Sequence, residues 1–268
     1  MKKNDSSIIN RLFSLEGKTA FVTGSSSGIG QAIAVALSEA GASVGIHGRD
    51  VERVNKTCDD IIKSGGKAYP FCADLNDRAV CKKLISEVQK TLGRLDILYN
   101  CAGMNRRKPI TEVTDDDFDT IVSVNLRSLY FLSQAVYPIM KLQGGGKIIH
   151  IGSINIFYGL DTVSVYGLTK GAVGQLTKIM AVEWATDNIQ VNCITPGFIL
   201  TPMTNPVFTD EKKRKWLLNR IPAGRLGNPD DLIGTSLLLC SGGSDYITGQ
   251  NFVVDGGFLA GGSWNRQE

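Results

Sequence analysis

Apolar positions along the chain follow two alternating rhythms. Seven short runs are dense in apolar and β-branched residues: KTAFVTG, ASVGIHG, KAYPFCADL, LDILYNCAG, GKIIHIGS, IQVNCITPG and GQNFVVDGG. They read as strands buried on both faces. Between them the apolar residues recur at helical spacing. IGQAIAVALSEAG reads as a helix that stops at Gly41, and Val51 to Lys63 as a second. A polar helix is expected from about Asp77 to Leu92, and one or two helices from Asp115 to Lys141. VYGLTKGAVGQLTKIMAVEWA reads as a long helix and PDDLIGTSLLLC as a shorter one. Strands alternating with helices predict an α/β fold: one doubly wound, parallel, seven-stranded sheet with helices on both faces. No linker interrupts the pattern, so residues 1–268 are expected to form a single domain. The least regular stretch runs from about Pro196 to Gly227 and has a charged centre. A structureless insertion of that length is usually functional, so a substrate lid is expected at about 197–227.

Composition narrows the partners. The 268 residues are 43% apolar, enough for one large core, although the length alone also admits two domains. A net charge of +3 is too mild to argue for nucleic acid or an anionic membrane. No apolar run approaches the ~18 residues of a membrane span. The start, MKKNDSSIINRLFSLEGK, lacks the continuous apolar stretch of a secretory signal. A cytoplasmic protein is expected. The six cysteines, at 58, 72, 81, 101, 193 and 240, form no C-x-x-C pair and read as reduced thiols. His47 and His150 have no clustered cysteines beside them, so no metal is expected.

Two motifs carry chemistry. TGSSSGIG, Thr23 to Gly30, lies between the first strand and the first helix. Gly24, Gly28 and Gly30 allow a sharp turn, close approach of a phosphate to the backbone, and tight packing of helix on strand. The helix N-terminus would then face a pyrophosphate with free N–H groups. A glycine cluster alone is as often a simple turn; its place between strand and helix favours the phosphate. In SVYGLTK, Tyr166 and Lys170 stand four apart and share a helix face. They are either a pair on a solvated face or a proton donor beside the charge that tunes it.

Taken together, T-G-x-x-x-G-x-G, N-C-A-G (Asn100 to Gly103), Asn125, Ser153, Tyr-x-x-x-Lys and Pro196-Gly197 occur in the order and at the spacing of one family. From about Leu15 to Leu259 the chain resembles the short-chain dehydrogenase/reductases, with Cys101 standing where that family usually has Asn. The resemblance implies a Rossmann-type fold, a nicotinamide cofactor and an NAD(P)-dependent oxidoreductase. It implies a catalytic set of Asn125, Ser153, Tyr166 and Lys170. A free phenol, with a pKa of about 10, is a poor base near neutrality, and a neighbouring ammonium favours the phenolate. Tyr166 is then the expected acid/base. Lys170 is expected to hold the nicotinamide ribose, Ser153 to bind the substrate oxygen, and Asn125 to hold a water linking Lys170 to solvent. Cofactor contacts are implied at Gly24, Ser26, Ser27, Gly28, Ile29, Gly30, Arg49, Asp74, Leu75, Asn100, Ala102, Gly103, Tyr166, Lys170, Pro196, Gly197, Ile199 and Thr201.

At the end of the second strand, IHGRD places Gly48 where an acidic residue would grip the adenosine ribose, and Arg49 follows. Arginine suits a 2′-phosphate, so NADP is expected, with NAD as the alternative. Ser25 and His47 are candidates for added hydrogen bonds there. Arg49 also reads as a solvated loop arginine paired with Asp50. Asp74 is expected at the adenine, or as an N-cap for the helix that follows. Two basic runs leave strand ends: Arg106-Arg107-Lys108, and Lys212 to Lys215 with Arg220. They suit an anionic small-molecule substrate, with Arg106, Arg107, Ser153 and Tyr166 as its contacts, or they are solvated faces. The double arginine and IPAGRLG resemble the sugar-acid branch, the gluconate 5-dehydrogenases and 2-deoxygluconate dehydrogenases. The alternatives are a 3-oxoacyl-carrier-protein reductase and a non-catalytic cofactor sensor or scaffold. The family resemblance also implies a homotetramer.

Overall fold

The computed structural model describes residues 7–77 and 79–262; the rest of the expected single domain, Arg78 included, lies outside the described residues. The seven expected strands are β1 (Thr19–Thr23), β2 (Ser43–Gly48), β3 (Lys67–Cys72), β4 (Ile97–Asn100), β5 (Gly146–Ile151), β6 (Ile189–Pro196) and β7 (Asn251–Val254). They form one sheet in the order β3-β2-β1-β4-β5-β6-β7. Every pair is parallel. Every residue of β1, β4 and β6 is buried, as their continuous apolar runs require.

The chain winds one way from β1 to β3 and the other from β4 to β7, so the switch falls between β1 and β4, where Thr23 lies opposite Asn100. Open α/β sheets bind ligands in the crevice at that point. Helices cover both faces. Ile33 and Leu37 of α2 (Gly28–Glu39), Val54 and Ile61 of α3 (Val51–Lys63) and Leu239 of the carboxy-terminal helix Ile233–Cys240 pack in one apolar core. Leu84 and Val88 of α4 (Val80–Leu92), Leu132 and Val136 of α6 (Ser128–Leu142) and Met180 and Trp184 of α7 (Ser164–Trp184) fill the other. A short α1 (Ile8–Phe13) precedes the sheet and had no clear signal in the sequence.

Two expectations need correction, and the one or two helices expected from Asp115 to Lys141 gain a detail. The helix expected from Asp77 starts at Val80, because Asp77 turns back to accept the N–H of Ala79 at 2.8 Å. The segment from Asp115 is α5 (Asp115–Val122) joined to α6 through a single π-helical turn, Ser123–Arg127, in which Ser128 N–H reaches Ser123 O. The stretch 197–227 is not structureless. It holds α8 (Asn205–Phe208) and α9 (Glu211–Arg220), the latter capped by Asp210, which accepts the Lys213 N–H at 3.1 Å. Phe208, Leu217 and Ile221 give this excursion a small core with Phe198 and Phe258. Its two ends meet: Leu200 N–H donates to Gly227 O at 2.8 Å, and Gly227 N–H to Phe198 O at 2.9 Å.

Candidate active site

A cleft of about 690 Å³ opens over the C-terminal ends of β1, β2, β4, β5 and β6. Its floor is the glycine turn. Gly24 and Gly28 have φ of +65° and +57°, the left-handed region that suits glycine. Gly30 answers to space instead: a Cβ there would stand 2.4 Å from Gly24 O. Ser27, the N-cap of α2, makes no side-chain cap bond, so the first N–H groups of that helix face the cleft. Thr23 Oγ1 accepts the N–H groups of Cys101 at 3.0 Å and Ala102 at 3.1 Å, which ties the end of β1 to that of β4.

Ser26, Ser27, Ile29, Arg49, Asp74, Leu75, Ala102, Gly103, Ser153, Tyr166, Lys170, Pro196, Gly197, Ile199 and Thr201 all line this cleft, with the three glycines of the turn. Asn100 does not. It is buried behind the wall, where its Nδ2 donates to Ser133 Oγ at 3.1 Å. Asp74 is no helix cap: its carboxylate accepts the N–H of Asn76 at 3.0 Å, and α4 begins later. Arg53 also lines the cleft and had been overlooked. It lies in the first turn of α3, where its Nε pairs with Asp50, the N-cap, at 3.2 Å. A Cβ at Gly48 would stand 2.6 Å from Ser26 Oγ, so the bare strand end and Ser26 occupy one space.

Ser25 and His47 are committed to the turn rather than to a phosphate. Ser25 Oγ donates to Val22 O at 2.6 Å and accepts the His47 N–H at 2.9 Å, while His47 Nδ1 accepts the Gly24 N–H at 3.2 Å. Burial pushes the His47 imidazole from 6.5 down to about 4. The second histidine, His150, bonds Thr177 Oγ1 at 3.0 Å, and burial together with the nearby Lys170 charge pushes it down to about 3. Both rings are therefore neutral in the fold but take up protons from about 6.5 downward once unfolded. The stability they contribute is full above that value and is lost as the pH falls toward their folded values. Between about pH 7 and about pH 5 each should remove roughly 2 kcal/mol from the unfolding free energy. Urea titrations at the two pH values should show the drop, and His150→Asn should shrink it. An equal drop in that variant would remove His150 from the account.

At the other end of the cleft, the first turns of α7 bring Tyr166 and Lys170 beside Ser153. Lys170 is buried, its Nζ donating to Ile151 O at 2.6 Å and lying 5.6 Å from the centre of the Tyr166 ring. Ser153 Oγ donates to Asn155 Oδ1 at 3.1 Å and accepts the Asn155 N–H at 3.2 Å. Asn155, two residues beyond Ser153, was also missed. Asn125 sits in the π-helical turn, a local geometry frequent at functional sites. It is buried beneath the cleft wall, with Oδ1 accepting Met104 N–H and Nδ2 donating to Met104 O, both at 2.8 Å. A Cβ at Gly103 would lie 3.5 Å from Asn125 Oδ1 and 3.9 Å from Lys170 Nζ, so the two groups flank one spot. Cys101 lines the same wall, and desolvation pushes its thiol up to about 12.

The double arginine is not in the cleft. Arg106 Nη1 pairs with Asp116 at 2.5 Å and Asp117 at 3.1 Å, while Arg107 is exposed. The Lys108 ammonium, with Thr114 and Arg106, holds the Asp117 carboxyl well below the usual carboxylate range. The expected substrate contacts at Arg106 and Arg107 are therefore withdrawn. The basic run of α9 is solvent-exposed.

A family model described as enoyl-(acyl carrier protein) reductase matches residues 24–259. The chain belongs to the short-chain dehydrogenase/reductase family. It is an NAD(P)-dependent dehydrogenase/reductase of that family. Among relatives, it is 39% identical to a 2-dehydro-3-deoxy-D-gluconate 5-dehydrogenase of Dickeya dadantii, over 94% of this chain and 100% of that one. It is 38% identical to a tropinone reductase homolog of Arabidopsis thaliana, over 94% and 96% of the two chains. A gluconate 5-dehydrogenase from Burkholderia cenocepacia, solved in complex with NADP and tartrate, matches with a TM-score of 0.91 at 37% identity, over 95% of this chain and 99% of that one. Among the described residues no helix is long and apolar enough to cross a membrane, and no cluster of side chains could hold a metal ion.

Proposed function

We propose that this enzyme interconverts a secondary alcohol and a ketone on a sugar acid, such as gluconate or a ketogluconate, with NADP(H). The observation that carries the reading is the two-ended cleft. At one end stand Ser153, Tyr166 and Lys170; at the other, β2 ends in Gly48, with Arg49, Arg53, Asp50 and Asp74 around it and Arg53 Nε paired with Asp50 at 3.2 Å. The residues suit a dinucleotide: the glycine turn and the open start of α2 for the pyrophosphate, Arg49, Arg53 and Ser26 for a 2′-phosphate, and Asp74 and Leu75 for the adenine. When bound, that cofactor supplies the hydride chemistry that no side chain can. Lys170 would hold the ribose beside it and favour the phenolate of Tyr166. Ser153 would orient the substrate oxygen. Tyr166 would give its proton to that oxygen in reduction and take it back in oxidation. Residues 197–227 would act as the lid, hinged where Phe198 and Leu200 meet Gly227. Thr201 lines the cleft against Gly28 of the glycine turn, where a Cβ would lie 3.5 Å from it, which suits a cofactor contact. The named sugar-acid relatives support the same class. The exposed basic α9 favours a second reading, a 3-oxoacyl thioester on an acidic carrier protein. Assay with NADPH against 2-keto- and 5-ketogluconate and an acetoacetyl thioester separates the two; turnover of the thioester alone would sink the sugar-acid reading.

NADPH should be preferred over NADH, and Arg49 should carry the preference. Removing its bidentate contact should lower kcat/KM for NADPH by roughly ten- to a hundredfold and leave NADH nearly unchanged. Equal loss with both cofactors would mean that Arg49 reads the adenine instead. Reversing the preference with Asp at position 48 also needs Ser26→Gly, because of the 2.6 Å approach at Gly48.

We also propose a cytoplasmic homotetramer. Tyr130 and Phe131 on α6 and Leu168, Ile179 and Val182 on α7 are exposed, and Val182 is 81% exposed. These apolar faces are what a partner copy would cover. Sedimentation at micromolar concentration should show a tetramer, and a monomer would count against it.

A further inference from the structure

Two loops flank the Tyr166 end of the cleft, one after β4 and one after β5. In the second loop, Thr162 has a φ of 62°. A β-branched residue is a genuine outlier there, and such a conformation persists only where the surroundings hold it. The Thr162 carbonyl accepts the backbone N–H of Lys108, in the first loop, at 3.0 Å. That first loop is itself pinned twice. Asn125 takes both the N–H and the C=O of Met104. Farther along, the buried Asp117 accepts Lys108 Nζ at 2.5 Å and Arg106 Nη1 at 3.1 Å, and also the Thr114 N–H at 3.1 Å and Oγ1 at 2.9 Å. Thr162 stands four residues before Tyr166, and the first turn of α7 hangs on Val163 O, which accepts the Gly167 N–H at 2.8 Å. The backbone at 162 thus sets the direction in which the helix carrying Tyr166 begins.

We propose that Asp117 is a positioning residue for proton transfer: through Lys108 it clasps the two loops together and holds Thr162 in its left-handed conformation, which fixes the approach of Tyr166. An ordinary surface ion pair would contribute little, but this carboxylate is buried and gathers donors from two side chains of one loop and from the cap of α5. The inference rests on the reading of Tyr166 as the proton-transfer residue.

The test is a double-mutant cycle of Asp117→Asn with Thr162→Asn, read with NADPH and 5-keto-D-gluconate. Asparagine tolerates the left-handed region, so Thr162→Asn makes the clasp dispensable. Asp117→Asn alone should lower kcat by about tenfold, with NADPH affinity by titration unchanged. In the Thr162→Asn background the same change should lower kcat by less than about threefold. Equal losses in the two backgrounds would overturn the proposal. A second measurement needs no turnover: Asp117→Asn should speed hydrogen exchange at the Lys108 amide by about tenfold. An amide that exchanges as slowly as in the wild type would overturn the clasp itself. A Tyr166→Phe variant that kept the wild-type rate would instead overturn the reading of Tyr166 while leaving the exchange result at Lys108 unchanged, so the two failures give different results.

Discussion

Tyr166→Phe should reduce turnover by about a thousandfold while leaving NADPH binding nearly intact, since general acid–base catalysis typically contributes 10²–10⁴-fold. The substitution removes one hydroxyl and keeps the ring. The ring lies 5.6 Å from Lys170 Nζ, and that cation–π approach survives in phenylalanine. The helix is secured elsewhere, by Val165, Thr169 and Val173, which are buried on the sheet side of α7. The fold and the cofactor site therefore have no reason to change, and the loss should appear in kcat rather than in cofactor affinity. Single-turnover rates and fluorescence titration with NADPH separate the two. A variant that kept a tenth of the wild-type rate would mean that another group moves the proton.

The sheet was legible because its signal is long and redundant. Seven apolar runs at regular intervals leave few other ways to bury them, and the structure uses every one. Boundaries were less legible, for local reasons. Asp77 spends its carboxylate on a turn before α4, and a π-helical turn, Ser123–Arg127, joins α5 to α6 with no breaker residue to mark it. The helices within 197–227 went unread because six of the ten residues of α9 are charged, with Leu217 its one buried residue. A helix without an apolar stripe gives no period to detect, and its Asp210 cap was the only cue. Among candidate site residues, those on strand ends and on the glycine turn came together in one cleft, except Asn100, which bonds Ser133 behind its wall. Arg106 and Ser25 are engaged elsewhere, by Asp116 and Asp117 and by Val22 O, whereas His47 gives its Nδ1 to the Gly24 N–H and still lines the cleft. Composition marks a basic or polar residue as available. Only the fold reveals which partner has claimed it.

Lys170 faces the opposite situation, since one buried ammonium is asked to do two things. Its Nζ donates to Ile151 O at 2.6 Å and has further hydrogens to offer the cleft that it lines. Lys170→Met keeps most of the side-chain volume and removes the charge. Lys170→Ala removes both and leaves a cavity between α7 and β5. If Lys170 both favours the phenolate and holds the nicotinamide ribose, the methionine variant should lose in two measurements at once. A charge-assisted hydrogen bond to the ribose is worth about 1.5–3 kcal/mol, so NADPH affinity should fall by roughly ten- to a hundredfold. With the cationic neighbour gone, the phenolate of Tyr166 loses its stabilising charge, and kcat should fall by about a hundredfold more, chiefly in the direction of alcohol oxidation. Alanine should add a loss of stability of about 2–5 kcal/mol by analogy with other large-to-small changes at buried sites, which is why methionine is the cleaner probe. Unchanged NADPH affinity in Lys170→Met would break the ribose assignment. An undiminished kcat in Lys170→Met would mean that the ammonium does nothing for Tyr166.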